Sequence, residues 1–446
     1  MNRLALLQPD VDELSELLLA ASREDGCFML LREGRGRDGR RLVATDPMLP
    51  GPDDWEVQEG DRLRPTAQWV SAVVSRAVQA RAGLLFIHTH PHPSHPIGFS
   101  RLDVDAISSL GEAIGPILDG PFGAAVFGPH GWAAALASGG HLLDVDRVVG
   151  VGRTVRVLSP MPAVAGKATS PLDDRQRDAL GDVHDLLGHL HVALVGVGGL
   201  GSPIAEQLVR MGIGRLTIVD DDVLDGPSNL RRVFGATVAD LNASTPPAKV
   251  DVVGRHLDVI GLGTVIARVK GDVRNEEVMS RLVDADVVVC ATDTHGSRAA
   301  INDLVSALFL PAIDVGVQGG AKRSGSLAAL VAEVRVLTPV TPCLWCRGVI
   351  SADVVRVENL PHDQRERLTA EGYLVGGLSQ PAPSVVALTV LGAGLAACAL
   401  LSLLSEEASV VPSGYVIDGF MGDALEAPLT DPLPNCRCRQ RLGLGL

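Results

Sequence analysis

Three groups of residues in this sequence are spaced for chemistry. The first is His88-Thr89-His90-Pro91, followed by Ser100-Arg101-Leu102-Asp103. Two histidines alternating at the end of an apolar strand turn their imidazoles to the same side. A carboxylate at the start of a following helix then completes a two-His, one-carboxylate zinc set with a position left for water. The second is the turn Gly196-Val197-Gly198-Gly199-Leu200-Gly201 after an apolar run, with Asp220 closing the next run, RLTIVD. Glycines there let backbone N–H groups approach phosphates at a helix N-terminus, and an acid ending the second strand can accept hydrogen bonds from a ribose. The third is a set of four thiols in two close pairs, Cys343-Leu-Trp-Cys346 and Cys436-Arg-Cys438.

A glycine turn and a ribose acid would also suit a dehydrogenase, and the residues that follow favour ATP. Asn229, Arg231 and Arg232 come soon after Asp220, Lys249 lies in PPAKVD, and Asp293 ends the run DVVVCATD with Arg298 and Asn302 beyond it. Cations beside a polyphosphate and an acid able to hold Mg²⁺ are what nucleotidyl transfer needs, because charge must be neutralised as pyrophosphate leaves. Nicotinamide chemistry asks for none of them.

The elements that position these groups are legible in outline. Periodicity predicts helices over Val11–Ala21 and Thr66–Arg81, strands over Cys27–Leu31 and Leu84–Ile87, and a helix N-cap at Ser100. The segment SPMPAVAGKATSPLDD is the best linker, which gives an N-terminal α/β domain over 1–160, a linker over 161–172 and a second domain over 173–446. In that second domain HVALVGV, RLTIVD, DVVVCATD and LPAIDVGV alternate with helices over Pro203–Met211 and Val250–Leu257, which means a Rossmann-like, doubly wound parallel sheet.

Composition agrees with an α/β chain. Its 446 residues exceed one core, and 46% apolar residues with only 3% aromatics, 49 Gly and 28 Pro describe Ala/Val/Leu layers with many tight turns. A net charge of −14 argues against nucleic acid or an anionic membrane as the main partner. The N-terminus carries acids inside its apolar stretch and has no small-residue cleavage site, so a cytoplasmic location is the expectation. Val385–Leu404 has the length of a membrane span, but its small residues and lack of flanking Lys or Arg favour a buried or dimer-interface helix. Cys27, Cys290 and Cys398 stand alone in apolar runs and are expected in the core.

From Gly196 to about Leu404 the sequence resembles the ThiF/MoeB superfamily, which includes the ubiquitin-activating enzymes. The resemblance rests on GVGGLGS, Asp220, NLRRV, Lys249 and the ATD of Asp293, in the family's order. It implies that Gly196, Gly198, Gly199, Gly201 and Asp220 bind nucleotide, that Asn229, Arg232 and Lys249 meet the ATP phosphates, and that Asp293 positions Mg²⁺. Arg175-Gln176 stands where the family has an arginine reaching the partner subunit's triphosphate in a homodimer, and Val233 replaces the family's usual Gln. The family's paired CxxC motifs imply a structural zinc site at Cys343, Cys346, Cys436 and Cys438. The second pair here is the tighter CxC, and a disulfide, a redox pair or a thioester-bearing tail cysteine are the rival readings. No cysteine lies between Arg347 and Ala397, the crossover segment where thioester-forming members carry one. The adenylate itself, or a cysteine on another protein such as a conjugating enzyme, would then take that part.

The first group resembles the motif of the JAB/JAMM (MPN-like) isopeptidases. The resemblance implies zinc on His88, His90 and Asp103, oxyanion support from Ser100, and a general base at Glu24, with Asp25 the fallback. Nine residues separate His90 from Ser100 where the family more often has seven, and sliding the motif to His90 and His92 restores seven. Pro91 favours His88 and His90 as the strand's end, leaving His92 a credible ligand. Together the two resemblances imply adenylation of the C-terminal carboxylate of a ubiquitin-like or sulfur-carrier protein, fused to a zinc peptidase that trims or removes it. Adenylation of a small carboxylate or peptide, and a scaffold whose JAB half is inactive, are the alternatives.

Overall fold

The structure is a computed structural model that describes the chain except residues 21–22, 61, 92–96, 161–171, 173, 322–326, 372–384, 406–413, 419–422 and 427–430. Two compact units divide it: residues 1–165 with 307–309 and 441–446, and residues 166–306 with 310–440. The expected linker lies almost wholly outside the described residues.

The first unit runs β1 (Arg3–Leu7), α1 (Gln8–Leu18), β2 (Gly26–Arg35), β3 (Arg40–Met48), a hairpin of β4 (Trp55–Gln58) and β5 (Leu63–Pro65), α2 (Ala67–Gln79), β6 (Gly83–Thr89) and α3 (Arg101–Ile114). Five further strands follow: β7 (Phe122–Gly128), β8 (Gly131–Ser138), β9 (His141–Asp144), β10 (Arg147–Val151) and β11 (Val155–Val157). Among the described residues nine strands form one mixed sheet, in the order β11-β10-β1-β3-β2-β6-β7-β8-β9. Strand alternation sorts its side chains between two cores. Met29, Leu85 and Ile87 join Leu14 of α1 on one face, whereas Phe28, Leu84 and Phe86 join Trp69 and Val73 of α2 and Ile107 of α3 on the other. His88 shares the parity of Leu84 and Phe86, so it faces the α3 side. Helix α1 begins three residues before its expected start, because Pro9 suits the first turn.

The second unit contains α4 (Asp174–Leu180), α5 (Asp182–Leu187), β12 (His191–Val195), α6 (Gly201–Arg210), β13 (Arg215–Asp220), α7 (Val238–Leu241), α8 (Lys249–Ile260), β14 (Val265–Lys270), α9 (Glu276–Val283), β15 (Val287–Cys290) and α10 (His295–Leu308). It continues with β16 (Ala312–Ala321), β17 (Leu327–Leu337), α11 (Ala352–Glu358), α12 (His362–Ala370), α13 (Val386–Leu404), β18 (Gly414–Asp418), β19 (Asp423–Glu426) and α14 (Arg437–Gln440). The sheet order is β14-β13-β12-β15-β16-β17-β18-β19, parallel from β14 to β16 and antiparallel beyond. Strand succession reverses direction between β12 and β15, the switch point where open α/β sheets bind ligands at the carboxyl ends of their strands. The expected doubly wound sheet is therefore present, with an antiparallel extension on one side.

Among the described residues α13 is the one helix long and apolar enough to span a membrane. Nine of its residues, including Leu388, Gly392, Ala396, Leu400 and Leu403, are buried, and it packs on α6, β16 and β17. A Cβ at Gly392 would lie 3.1 Å from side-chain atoms of Leu200 and Val317, so the small residues serve close helix packing. Cys27 and Cys290 are fully buried as expected. Cys398 is not: it lies on the exposed face of α13, where the helical period carries it away from the packed stripe.

Candidate functional site

In the second unit the glycine turn joins β12 to α6. Gly196 adopts φ +88°, and a Cβ there would stand 2.7 Å from the Ala291 carbonyl oxygen; one at Gly201 would strike the Gly196 carbonyl oxygen at 1.8 Å. These two glycines are steric necessities. Gly198 has nothing within 4 Å of its missing side chain, so the turn is open there. The Asp220 carboxylate accepts from Val197 N–H at 2.7 Å and Asp222 N–H at 2.9 Å, which pins the turn to the end of β13. Burial pushes the Asp220 carboxyl above its ordinary range, against the pull of the Lys249 charge and those two N–H groups. Each carboxylate oxygen retains acceptor capacity for a ribose.

The cations gather round this turn. A short 3₁₀ turn, Pro227–Arg231, delivers Asn229, which is 3% exposed, and its Oδ1 accepts from Arg232 Nη2 at 3.2 Å. The Arg232 stem lies against Gly199, and its buried Nε has no hydrogen-bond partner among the described residues. Ser202 Oγ donates to the Gly198 carbonyl at 2.7 Å and accepts from Phe234 N–H at 3.0 Å, tying the arginine turn to the glycine turn. Lys249 is the first residue of α8, largely buried, with its Nζ on Asp222. Val233 is a core residue. Asp293 is exposed and stands three residues beyond the end of β15, in the loop before α10, rather than on the strand. Arg175 is exposed on α4, and Gln176 Nε2 donates to the Arg210 carbonyl at 2.7 Å.

Two residues grouped by sequence with the phosphate contacts are occupied elsewhere. Arg298 Nε lies 3.1 Å from Asp314 Oδ1, and Arg335 lies 3.0 Å from the other oxygen of this fully buried carboxylate. Asn302 Oδ1 accepts from Leu344 N–H at 2.9 Å, holding the CLWC turn on α10.

The two cysteine pairs, 90 residues apart between Cys346 and Cys436, converge. Cys343 Sγ lies 3.6 Å from Cys346 Sγ and 3.5 Å from Cys436 Sγ, and Cys346 Sγ lies 3.9 Å from Cys438 Sγ. A tetrahedral zinc with Zn–S bonds of about 2.3 Å has S–S edges of about 3.8 Å, so the set fits that ion and not a disulfide. A hydrogen bond with Cys438, with Cys346 N–H adding to it against burial, draws the Cys343 thiol down to about 5. Burial pushes Cys436 up, and Cys343 above all pushes Cys438 up. All four can be thiolates together only with a cation between them, and a structural zinc would supply it. Cys436→Ser is expected to reduce zinc by about one ion per chain and to lower the melting temperature by about 10 °C, read by metal analysis and thermal unfolding.

In the first unit β6 and α3 bring the other set together. His88 Nε2 lies 3.5 Å from Asp103 Oδ1, His90 Nε2 lies 3.4 Å from Asp103 Oδ2, and Glu24 Oε1 lies 3.6 Å from His90 Nε2. Ser100 and Asp103 form a reciprocal capping box: Ser100 N–H donates to Asp103 Oδ2 at 2.7 Å and Asp103 N–H to Ser100 Oγ at 3.2 Å. The box fixes the carboxylate and leaves the Ser100 hydroxyl able to donate. Burial opposes the Asp103 charge, but contacts with His88, His90 and Ser100 hold its carboxyl well below the usual range. The Asp103 contact, helped by Glu24 and opposed by burial, raises His90. His88 is 2% exposed and neither ring nitrogen has a hydrogen-bond partner among the described residues. Ligand atoms of His88, His90 and Asp103 lie within 4.8 Å of one another, so the donor set fits zinc. The geometry brings Glu24, not Asp25, to the cluster: Asp25 Oδ1 accepts from Gly26 N–H at 2.8 Å, and its backbone pairs with Thr89. His92 lies outside the described residues.

Residues 175–439 match the ThiF family. The chain belongs to that family. Its similar relatives include the SAMP-activating enzyme E1 of Haloferax volcanii, 30% identical over 35% of this chain and 52% of that protein. The sulfur carrier protein ThiS adenylyltransferase of Bacillus subtilis is 29% identical over 36% of this chain and 44% of its own length. The chain thus spans about half the length of these curated relatives. A solved structure of Escherichia coli MccB with ATP covers 61% of this chain and 75% of its own at 17% identity, with a TM-score of 0.46. The ThiF region contains the glycine turn, Asp220, the arginine turn, Lys249, Asp293 and all four clustered cysteines. Sequence reasoning missed the Lys249–Asp222 pair and the Ser202 tie, and only the serine closing GVGGLGS signalled the latter.

Proposed function

We propose that this chain uses ATP to activate the C-terminal carboxylate of a ubiquitin-like or sulfur-carrier protein. The observation that carries the reading is the convergence of an open glycine turn, the ribose acid Asp220, and Arg232, with its orphaned buried Nε, at the sheet's switch point. Turn N–H groups and the α6 N-terminus would take phosphate oxygens, and Arg232 and Lys249 would offset charge on the leaving group. Asp293 would hold Mg²⁺, which when bound supplies further neutralisation of the polyphosphate. The carboxylate oxygen forms its bond to the α-phosphorus as the α–β bridge breaks, leaving an acyl-adenylate and pyrophosphate. ATP–pyrophosphate exchange that depends on an added carrier protein tests this, and exchange with small carboxylates or peptides in its place would select the alternative substrate class.

The names of the relatives support a carrier-protein substrate, and the missing crossover cysteine makes the adenylate, or a thiol on a separate acceptor such as a conjugating enzyme, the form handed on. The exposed Arg175 belongs in this reading to a homodimer, reaching the partner's triphosphate. Arg175→Ala should then lose exchange about as deeply as loss of another charge-neutralising group, ~10²-fold, and mixing it with Asp293→Asn chains should restore part of it. A monomer with full exchange refutes the trans role.

A second activity is proposed for the first unit, favoured by the convergence of Glu24, His88, His90 and Asp103: a JAB-type zinc peptidase that trims or removes the same carrier. His88, His90 and Asp103 would hold zinc, which when bound supplies Lewis acidity. Glu24 would accept and return the proton, and the Ser100 hydroxyl would donate to the developing oxyanion. A cytoplasmic setting, with reduced thiols, is the proposed location.

A further inference from the structure

We propose that Glu358 is a positioning residue for nucleotide activation: through the first turn of α10 it sets where Asp293 stands, and so how tightly the site takes magnesium–ATP. The inference rests on the nucleotide reading above and adds a residue to it.

Asp293 lies between two anchors. On one side Ala291 N–H donates to the Val195 carbonyl at 2.8 Å, with the Ala291 carbonyl against Gly196, so the loop leaves the sheet from a fixed point. On the other side α10 begins at His295, only two residues on. This helix already has a local cap, since Ser297 N–H donates to Thr294 Oγ1 at 3.3 Å. Its two preceding N–H groups are taken from far away in sequence: His295 N–H donates to Glu358 Oε1 at 3.2 Å and Gly296 N–H to Glu358 Oε2 at 2.6 Å. A bidentate carboxylate at the positive end of a 14-residue helix is a favourable contact on both hydrogen-bond and dipole grounds. Gly296 allows the approach, for a Cβ there would sit 3.2 Å from both Glu358 Oε2 and Arg274 Cδ.

Glu358 is itself held. It ends α11, whose other end is tied where Ser351 N–H donates to His295 Nδ1 at 3.0 Å. Arg274, fixed by Asp272, donates to the Glu358 carbonyl and to Asn359 Oδ1, both at 3.2 Å. Helix α11 therefore straps the first turn of α10 at two points. Further along, α10 is fastened at Asn302 to Leu344 and at Asp303 to Arg437, beside the four-cysteine cluster. With α10 fixed along its length, the short span Thr292–Asp293–Thr294 has little freedom left. A helix end without its long-range partner frays within its first turn, and Asp293 adjoins that turn.

The test compares nucleotide binding by the full chain and two variants using calorimetry with ATP, with and without Mg²⁺, and with AMP. Glu358→Ala is expected to lower by about tenfold the gain in ATP affinity that Mg²⁺ confers, the scale of one weakened contact to a charged group. AMP affinity, which reads the glycine turn and Asp220, should remain within about twofold, whereas a general loss of structure would lower both. Glu358→Gln, which keeps one acceptor oxygen, should recover part of the Mg²⁺ gain. Should Glu358→Ala not fold, Arg274→Ala removes the strap's outer tie while leaving the Glu358 hydrogen bonds to His295 and Gly296 in place, and should show a smaller loss of the same kind. A wild-type Mg²⁺ gain in folded Glu358→Ala, or in Arg274→Ala where that variant must stand in, overturns the proposal. Absence of magnesium–ATP binding in the wild type would instead overturn the nucleotide reading beneath it.

Discussion

Asp293→Asn and Arg232→Ala should each lower carrier-dependent ATP–pyrophosphate exchange by at least ~10²-fold while leaving the chain folded, because the first removes the anionic ligand proposed for Mg²⁺ and the second a cation that offsets charge on the leaving group. The reasons differ at the two positions. Asp293 is exposed, so the isosteric amide costs the fold nothing measurable and removes only the anionic ligand offered to Mg²⁺. Arg232 has its stem on Gly199 and a side-chain hydrogen bond to Asn229 Oδ1, so its truncation takes that donor from a buried amide oxygen, at about 1–3 kcal/mol of stability. A modest fall in melting temperature is therefore expected for Arg232→Ala and none for Asp293→Asn. Exchange at the wild-type rate in both variants would remove the adenylation reading.

The parts of this site that sequence revealed are those where chemistry and local backbone demand coincide. Gly196 and Gly201 are required by a positive φ and by a carbonyl contact, so their spacing marks β12, the turn and α6 at once. Asp220 ends an apolar run whose burial is nearly complete, so its position was equally legible. Use of a charge is harder to read than its presence. Arg298 looks like a phosphate ligand by its distance from Asp293, but the buried Asp314 on β16 claims it, and no local pattern announces a partner 16 residues on. Lys249 likewise meets Asp222, whose carboxylate is largely exposed and able to yield to phosphate. In the first unit the strand carrying His88 stood out because four consecutive apolar residues precede it. The later strands, such as FGAAVFG and GWAAALAS, are small-residue runs without clear alternation, and the nine-stranded sheet they complete was not foreseen. Cys398 was misplaced for a related reason: an all-apolar helix gives no periodic signal for which side is packed.

Glu24→Gln should keep zinc at the first unit's cluster and lose at least ~10²-fold in cleavage of a ubiquitin-like precursor, whereas His90→Ala should lose both. The difference follows from where each side chain stands. His90 Nε2 is among the converging ligand atoms and contacts both Asp103 and Glu24, so its removal leaves, among the described residues, one histidine beside the carboxylate. Glu24 reaches the cluster from the chain before β2, at 3.6 Å from His90, and the proposed ligand set of His88, His90 and Asp103 does not include it. Its amide analogue fills the same space and cannot accept a proton. Neither change should alter ATP–pyrophosphate exchange, because the residues assigned to exchange belong to the other compact unit. Metal content, cleavage and exchange measured on the same preparations separate the possibilities. Glu24→Gln that still cleaves would take the base role from Glu24, and wild-type chain that cleaves equally well after complete removal of zinc would end the metallopeptidase reading while leaving the nucleotide site untouched.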